Sequence, residues 1–552
     1  MSLASIPPTW TTSLINLVVL NPGWSAAVLI VPALLIGWLF RGLKLHRFYY
    51  WALAAISVLG ILLYADVVVT YCRAPQFLDH VEPQVAAVSY LLLRGQPIYL
   101  PLESAPQYSL VYGPFTYIWA AAHYGALGPS IFAAKLTGCV SSLASLAILL
   151  AALKRDGNWR VALPCVALAA TIYVSFGVQS FWCRPDGHDC FLVALSIFAL
   201  TLANPWIAAI LIGISAGVGV NLKLTAAAYF LPIGTAFILR YRRPGAAGFA
   251  LALAIATAAG PFLLPEISLT NYFAWLQSVE SHPLSWGELL DSLQCAGWML
   301  GILLVLGMAP IASTPRGEAS AIRQWCWTAA ALVAAIALTL PIAGKQGAGR
   351  HHLIPLTPML VWLVARSWSM APAGESPPRW RLRHWLIVPV LIVALIFSAD
   401  ACFSITNYIR QGEPTNRAIV ADLGLIMDEL PGRTIEMGVG GNRTYPVTFA
   451  RPVLVFAGNP YHLDPASAMD VAKARQSLPA ATADLCRSGL ADFVLIPKGD
   501  APFSLRSGFT PHPAVFSAEF VGAFRDHYQL RFRSAYFDIY GRYTIPRSTT
   551  WH

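Results

Sequence analysis

Apolar runs of roughly 17–25 residues recur along this chain down to about residue 403, and that length crosses the hydrocarbon core of a bilayer. Few folds remain open to such a chain. Inside a bilayer every backbone N–H and C=O must be satisfied by the chain itself, which admits helices and closed barrels. Barrel strands alternate apolar and polar residues in segments of about ten, whereas these runs are continuously apolar. Of the 552 residues 57% are hydrophobic and only 12% charged, against about 25% charged in a soluble domain. The expected fold class is a polytopic α-helical membrane protein of about 12 spans with a C-terminal α/β soluble domain.

The net charge of +10 invites a nucleic-acid reading, but the positions of the charges answer it. Basic residues gather in short clusters between apolar runs: Arg41/Lys44/Arg47, Lys154/Arg155/Arg160, Arg240/Arg242/Arg243, Arg316/Arg323 and Arg366/Arg379/Arg381/Arg383. That is the pattern of cytoplasmic loops in a multi-pass protein, and no basic face with interleaved aromatics accompanies it. Nucleic acid is therefore excluded as a partner.

Alternating sides from those clusters places spans near 24–40, 49–70, 131–153, 161–178, 188–203, 206–220, 224–240, 246–264, 291–312, 326–342, 353–368 and 386–403. Segments 71–130, 179–187, 265–290 and 343–352 then fall outside. Those outer segments and their span ends carry Asp79, Glu82, Glu103, Asp186, Asp189, Glu266, Glu280, Glu288 and Asp291, while the inner loops carry only Asp156, Glu318 and Glu375. Acids do not set topology, so insertion leaves this skew unexplained. Residues 84–94 read as an interfacial helix after Pro83, 112–127 as a segment dipping into the interface, and 271–280 as a further surface segment. Ala371–Arg383 is a low-complexity cytoplasmic loop.

After residue 403 the composition turns mixed, with strand-like runs at 453–456 and 493–496 and helix-like stretches at 416–430 and 467–488. The expected division is a transmembrane module over 1–403 and an extracytoplasmic α/β domain over 404–552. The nine cysteines include no CxxC pair, which argues against a disulfide framework or a zinc site. The N-terminus lacks the basic region of a cleaved signal.

Charge is costly in an oily chain, so acids and cations at one membrane face point to chemistry. Asp79 and Glu82, three apart, share one face if their stretch is helical, and a carboxylate at a water–membrane boundary can withdraw a proton from an attacking hydroxyl. Either can serve. Trp182-Cys183-Arg184-Pro185-Asp186 opens a later span: Arg184 suits a phosphate, and Asp186 can orient an acceptor or pair with Arg184 as a helix cap. Lys223, and Lys345 and Arg350 of the loop Gly344–Arg350, are cations suited to an anion at that face, with interfacial snorkelling as the plain alternative. Asp66, inside a span, is placed to steady Lys135. Gly344–Arg350 lacks the Lys-Ser/Thr ending of a P-loop, and His351-His352 without a third ligand is a weak metal site.

The acid near the end of an early span, an interfacial helix, then Gly95-Gln96-Pro97-Ile98-Tyr99 and Tyr112-Gly113-Pro114, together resemble the first external loop of GT-C glycosyltransferases. Arg184-Pro185-Asp186 is similar to an element of the same family. The resemblance covers residues 60–370 in arrangement. It implies an inverting transfer from a polyprenyl-phosphate-linked sugar to a glycan, lipid or protein acceptor on the outer face of a bacterial plasma membrane. The catalytic set it implies is Asp79 or Glu82 as base with Asp186 as a further acid. Arg184, Lys223, Lys345, Arg350, His351, Tyr99 and Tyr112 are implied to bind substrate. No metal ligand and no required cofactor are assigned. The rival class is a secondary transporter whose path these charges line, which predicts charges in mid-span and an internal repeat.

Overall fold

The computed structural model describes residues 46–543 apart from 110, 158, 309–310, 312–318, 371–376, 475 and 510–511, with backbone alone over 46–50 and 377–393. The expected span at 24–40, with Arg41, Lys44 and Arg316, lies outside the described residues. So do residues 371–376 of the low-complexity loop.

Helices occupy the remaining expected spans: α1 His46–Arg73, then, after α2 Glu82–Leu93 and α3 Pro114–Leu127, α4 Ile131–Asp156, α5 Trp159–Ser175, α6 Pro185–Leu200 and α7 Pro205–Leu222. There follow α8 Ala226–Tyr229, α9 Leu231–Tyr241, α10 Pro244–Ala259, α11 Leu269–Glu280, α12 Trp286–Ile302, α13 Ala319–Ala343, α14 Thr357–Ser369 and α15 Pro377–Glu429. Six stretches among the described residues are long and apolar enough to cross a membrane: Trp51–Arg73, Ile131–Asp156, Pro205–Leu222, Pro244–Leu263, Trp286–Met308 and Ala319–Ala343. Trp159–Ser175 and Ala226–Tyr241 are shorter apolar helices. Leu59, Leu62, Leu251 and Ile255 keep their side chains exposed on these helices, as lipid-facing residues do.

Two segments read as interfacial are helices with much of their surface covered. Pro83 stands in the first turn of α2 and Pro114 opens α3, where a missing N–H costs nothing. Val85, Ala86, Ala87 and Val88 are fully buried. They pack in one cluster with Tyr117 and Tyr124 of α3 and with Val455, far along the chain.

The expected boundary at 403/404 falls inside α15, which continues unbroken to Glu429 and absorbs the separate helix expected at 416–430. Beyond it lie β1 Ile435–Met437, α16 Pro452–Phe456, α17 Pro465–Lys473, α18 Ala480–Ser488, β2 Phe493–Pro497, α19 Ala518–His527, β3 Tyr528–Arg533 and β4 Phe537–Arg542. The strand expected at 453–456 is α16. Pro452 pre-sets a helical φ in its first turn, and burial of Leu454 and Val455 overrides their strand propensity. The sheet order is β1-β2-β4-β3, with β1 parallel to β2 and the other pairs antiparallel. Ile435 opposes Phe493, and Phe493 opposes Gly541.

Strand alternation gives the sheet two buried faces. Val494 and Ile496 meet Phe503, Phe520 and Phe524 on one side, and Phe493 and Leu495 meet Ile419, Leu423 and Ile426 of α15 on the other. The long helix is thus the floor of the sheet. Toward its C-terminal end, Asn416 bonds Gln76 of the loop after α1, so the same helix reaches the segment that carries the acids.

Candidate active site

The loop 74–81 between α1 and α2 is held by two buried charges. From α4, the Lys135 ammonium donates to the carbonyls of Ala74 (2.9 Å) and Gln76 (2.8 Å) and lies 3.9 Å from the centre of the Tyr71 ring. Asp66, expected as its partner, is instead exposed on α1. Glu82, fully buried, binds the loop from the other end. Its Oε2 accepts from the Leu78 (3.1 Å) and Asp79 (3.2 Å) amides, and its Oε1 accepts from the Tyr71 hydroxyl and the Cys183 amide (3.3 Å). Burial and the neighbouring Asp79 charge raise the Glu82 carboxyl above its ordinary value.

Those bonds consume Glu82 in shaping the loop and leave Asp79 at its tip. Asp79 Oδ1 accepts from the Val81 amide and from Arg184 Nη1, each at 2.9 Å, while Oδ2 has only His80 Nδ1 at 3.4 Å. The Asp79 side chain is 19% exposed. Burial pushes its carboxyl up, but the Arg184 guanidinium and His80 outweigh that and hold it well below the usual carboxylate range. Of the two candidate bases, the one that keeps some exposure is Asp79, Glu82 being fully buried. Glu82→Gln places an amide N–H₂ against donors on one side, and this should cost about 1–3 kcal/mol. Thermal melting should show the loss.

Arg184 caps α6 in an extended conformation, and Pro185 starts the helix behind it. Its guanidinium lies 3.7 Å from the Trp182 ring centre and 5.6 Å from that of Tyr112. Nη2 stands 3.3 Å from His351 Nε2, and Nε is buried without a hydrogen-bond partner. The local Arg184–Asp186 pair admitted from sequence does not form. Asp186 turns the other way, its Oδ1 3.0 Å from Lys223 Nζ and its Oδ2 accepting from Trp182 Nε1 at 2.9 Å. Asp186 therefore orients Lys223 and the indole under Arg184. His188, one turn into the helix, bonds Ser141 of α4 at 2.7 Å.

The Tyr-Gly-Pro turn brings Tyr112 to this cluster. Gly113 donates to the Leu222 carbonyl at 3.0 Å, and a Cβ on Gly113 would lie 1.3 Å from the Asn221 carbonyl oxygen. Only glycine lets the turn lie against the end of α7, where Lys223 follows. Phe115 N donates to Asn221 Oδ1 at 2.8 Å and completes the junction. Gly138 plays the same part on α4, where a Cβ would lie 1.8 Å from the Trp182 carbonyl. Tyr99 stands behind the site: its buried hydroxyl donates to the Tyr112 carbonyl and its ring packs on Tyr117 and Tyr272.

Of the loop 344–352, His351 reaches the cluster and the two cations bond elsewhere. Lys345 Nζ donates to the Glu280 carbonyl at 2.6 Å, and Arg350 forms an exposed 3.5 Å pair with Asp291. His351 packs edge-on against Trp182, and burial together with the Lys223 and Arg184 charges keeps its imidazole neutral, well below the ordinary value. Sequence reasoning gives Trp182 no role and does not single out Tyr71. A tryptophan two residues before an arginine is the available signal for the stacking platform. Nothing in the sequence marks Tyr71.

The assembled site is a partly exposed carboxylate, a guanidinium clamped over an indole, a buried ammonium and a neutral imidazole. It can take a proton at Asp79 and hold an anion beside Arg184 and Lys223.

No protein-family model and no curated protein sequence matches the chain. Among solved structures it is similar to apo ArnT from Cupriavidus metallidurans, 12% identical over 88% of this chain and 97% of that one, with a TM-score of 0.53. ArnT bound to undecaprenyl phosphate gives the same identity and TM-score over 90% and 98%. A looser likeness, with a TM-score of 0.47 at 12% identity, extends to the apo oligosaccharyltransferase of Archaeoglobus fulgidus over 81% of this chain and 70% of that one. At this identity the likeness lies in the architecture: the chain shares the fold of ArnT.

Proposed function

We propose that this chain is a membrane glycosyltransferase that moves a sugar from a polyprenyl-phosphate carrier to an acceptor hydroxyl, with inversion and with Asp79 as general base. The observation that carries the reading is the half-open Asp79 carboxylate beside Arg184, in a cluster that also holds Lys223, within a fold shared with a protein that binds undecaprenyl phosphate.

Asp79 takes the acceptor proton as the hydroxyl oxygen attacks the anomeric carbon from the face opposite the phosphate. The bond between that carbon and the phosphate oxygen breaks, both electrons leave with the lipid phosphate, and the anomeric configuration inverts. The growing negative charge is met by Arg184 and Lys223 in a poorly hydrated setting, where such charges count most. Arg184 has two uses. When it turns to the phosphate, Asp79 loses its cation and becomes a stronger base. Asp186 and Trp182 keep Lys223 and Arg184 in place, and neutral His351 leaves the cationic charge on Arg184.

In this reading the chain spans a bacterial plasma membrane about twelve times. Residues 1–403 form the catalytic module, with 71–130 as its first external loop, and 404–552 an extracytoplasmic α/β domain. The acidic skew of the outer segments and the basic clusters between the apolar runs support that orientation.

Undecaprenyl phosphate titrated into the purified chain in nanodiscs should raise its melting temperature, and undecaprenol should not. Lys223→Ala should weaken that binding about tenfold, or about 1.4 kcal/mol. Equal stabilisation by the alcohol and the phosphate would sink the donor assignment.

A further inference from the structure

A third buried cation touches the loop that carries Asp79, and it comes from far along the chain. Arg451 is 1% exposed. Its Nη2 stands 2.7 Å from Asp464 Oδ2, its Nε donates to the same oxygen at 2.8 Å, and its Nη1 donates to the Thr448 carbonyl at 3.3 Å. Tyr461 also donates to Asp464, whose other oxygen accepts from the Ala466 (2.7 Å) and Ser467 (3.1 Å) amides at the start of α17. One donor of the Arg451 guanidinium leaves this knot. Arg451 Nη2 donates at 2.9 Å to the carbonyl of His80, the residue after Asp79.

Burying a charged pair is expensive and does little for stability when well-packed apolar residues could fill the volume. A guanidinium offers what an apolar residue cannot, a directional donor at the far side of the knot. The peptide it grips is the hinge of the turn in which Asp79 Oδ1 accepts from Val81 N. Parallel contacts keep the knot against this region. The Gln107 amide donates to the His462 carbonyl at 2.6 Å, and the Asp464 amide donates to the Gln107 carbonyl at 2.8 Å.

We infer that Arg451 is a positioning residue for Asp79: through the His80 carbonyl, the C-terminal segment sets where the base carboxylate stands relative to Arg184. This inference rests on the glycosyltransferase reading for its effect on turnover, but not for its effect on the loop.

The test compares the full chain in nanodiscs with the charge-neutral double variant Arg451→Met/Asp464→Asn, in which the new amide oxygen can still cap α17. The control is Asp422→Asn, which loosens the turn at Ser534–Tyr536 without touching the loop. Amide hydrogen exchange over residues 76–84 should quicken at least tenfold in the double variant and stay unchanged in the control. Undecaprenyl phosphate affinity should hold within twofold while kcat falls ten- to a hundredfold, and the acid limb of the pH–rate profile should rise as Asp79 drifts from Arg184. Unchanged exchange at 76–84 overturns the inference whether or not the chain transfers sugar. Faster exchange with an unmoved acid limb in an active enzyme overturns it too. A wild type without turnover, together with quickened exchange in the double variant, counts against the glycosyltransferase reading and leaves the positioning contact supported.

Discussion

Asp79→Asn should lower sugar transfer by about 10³-fold, within the 10²–10⁴ range of a positioned general base. Asparagine keeps an oxygen for the Val81 amide, so the turn survives, but it cannot accept the acceptor's proton. Binding of undecaprenyl phosphate should stay the same or tighten, because Arg184 no longer has a carboxylate to leave. The melting temperature should fall as well, since the lost ion pair is largely buried and Arg184 is left without its carboxylate. Glu82→Gln should show the reverse balance, with stability lost before chemistry. Measuring turnover and melting on both variants separates the two acids. An Asp79→Asn enzyme that keeps more than a tenth of its turnover would remove the base from the mechanism.

Arg184→Gln should be the second large loss, about 10²–10³-fold in kcat, the cost of removing one donor from a developing oxyanion. It should also move the pH dependence. Asp79 works ionised and is held below its ordinary value by Arg184, so the wild-type acid limb of kcat/KM lies below about pH 4. Without the guanidinium that limb should rise. In the wild type, kcat should show a higher acid limb than kcat/KM, because bound donor draws Arg184 away before chemistry. Stability follows the same sign. A depressed carboxyl contributes stability that is present above its unfolded value, about pH 4, and is lost as pH falls through its folded value. Arg184→Gln should therefore destabilise the chain more at pH 7 than at pH 3. Coincident limbs in the two wild-type profiles would show that Arg184 stays on Asp79 throughout.

The helices are legible because bilayer-length apolar runs admit little else, and the charged residues of the site because each charge in such a chain needs a reason. Pairings are not legible. Arg184 and Asp186 are two apart, and a local pair is the economical reading. The extended cap residue points Arg184 toward Asp79, while the first turn of α6 carries Asp186 toward Lys223. Lys345 and Arg350 look equivalent to Lys223 in sequence, yet Gly347 and Gly349, both at positive φ, fold their loop so that both cations bond elsewhere. Lys135 has Asp66 as the other charge in its apolar region, but two carbonyls just past the end of α1 satisfy it instead. Arg451 carries no signal in the sequence because its target is a backbone atom 371 residues away. Spacing and composition report which groups need partners; the chain path decides which partners they meet.

The unbroken α15 has a mechanical consequence. An α-helix turns about 100° per residue and rises about 1.5 Å, so everything attached to it is indexed in rotation as well as height. Asn416 faces Gln76 in the loop of the base, and Ile419, Leu423 and Ile426 face the sheet a turn or more later. One added or deleted residue between the apolar part of the helix and Asn416 would rotate the sheet, and Arg451 with it, by more than a quarter-turn. The helix works as a keyed shaft, and its residue count sets the angular register of the C-terminal segment over Asp79.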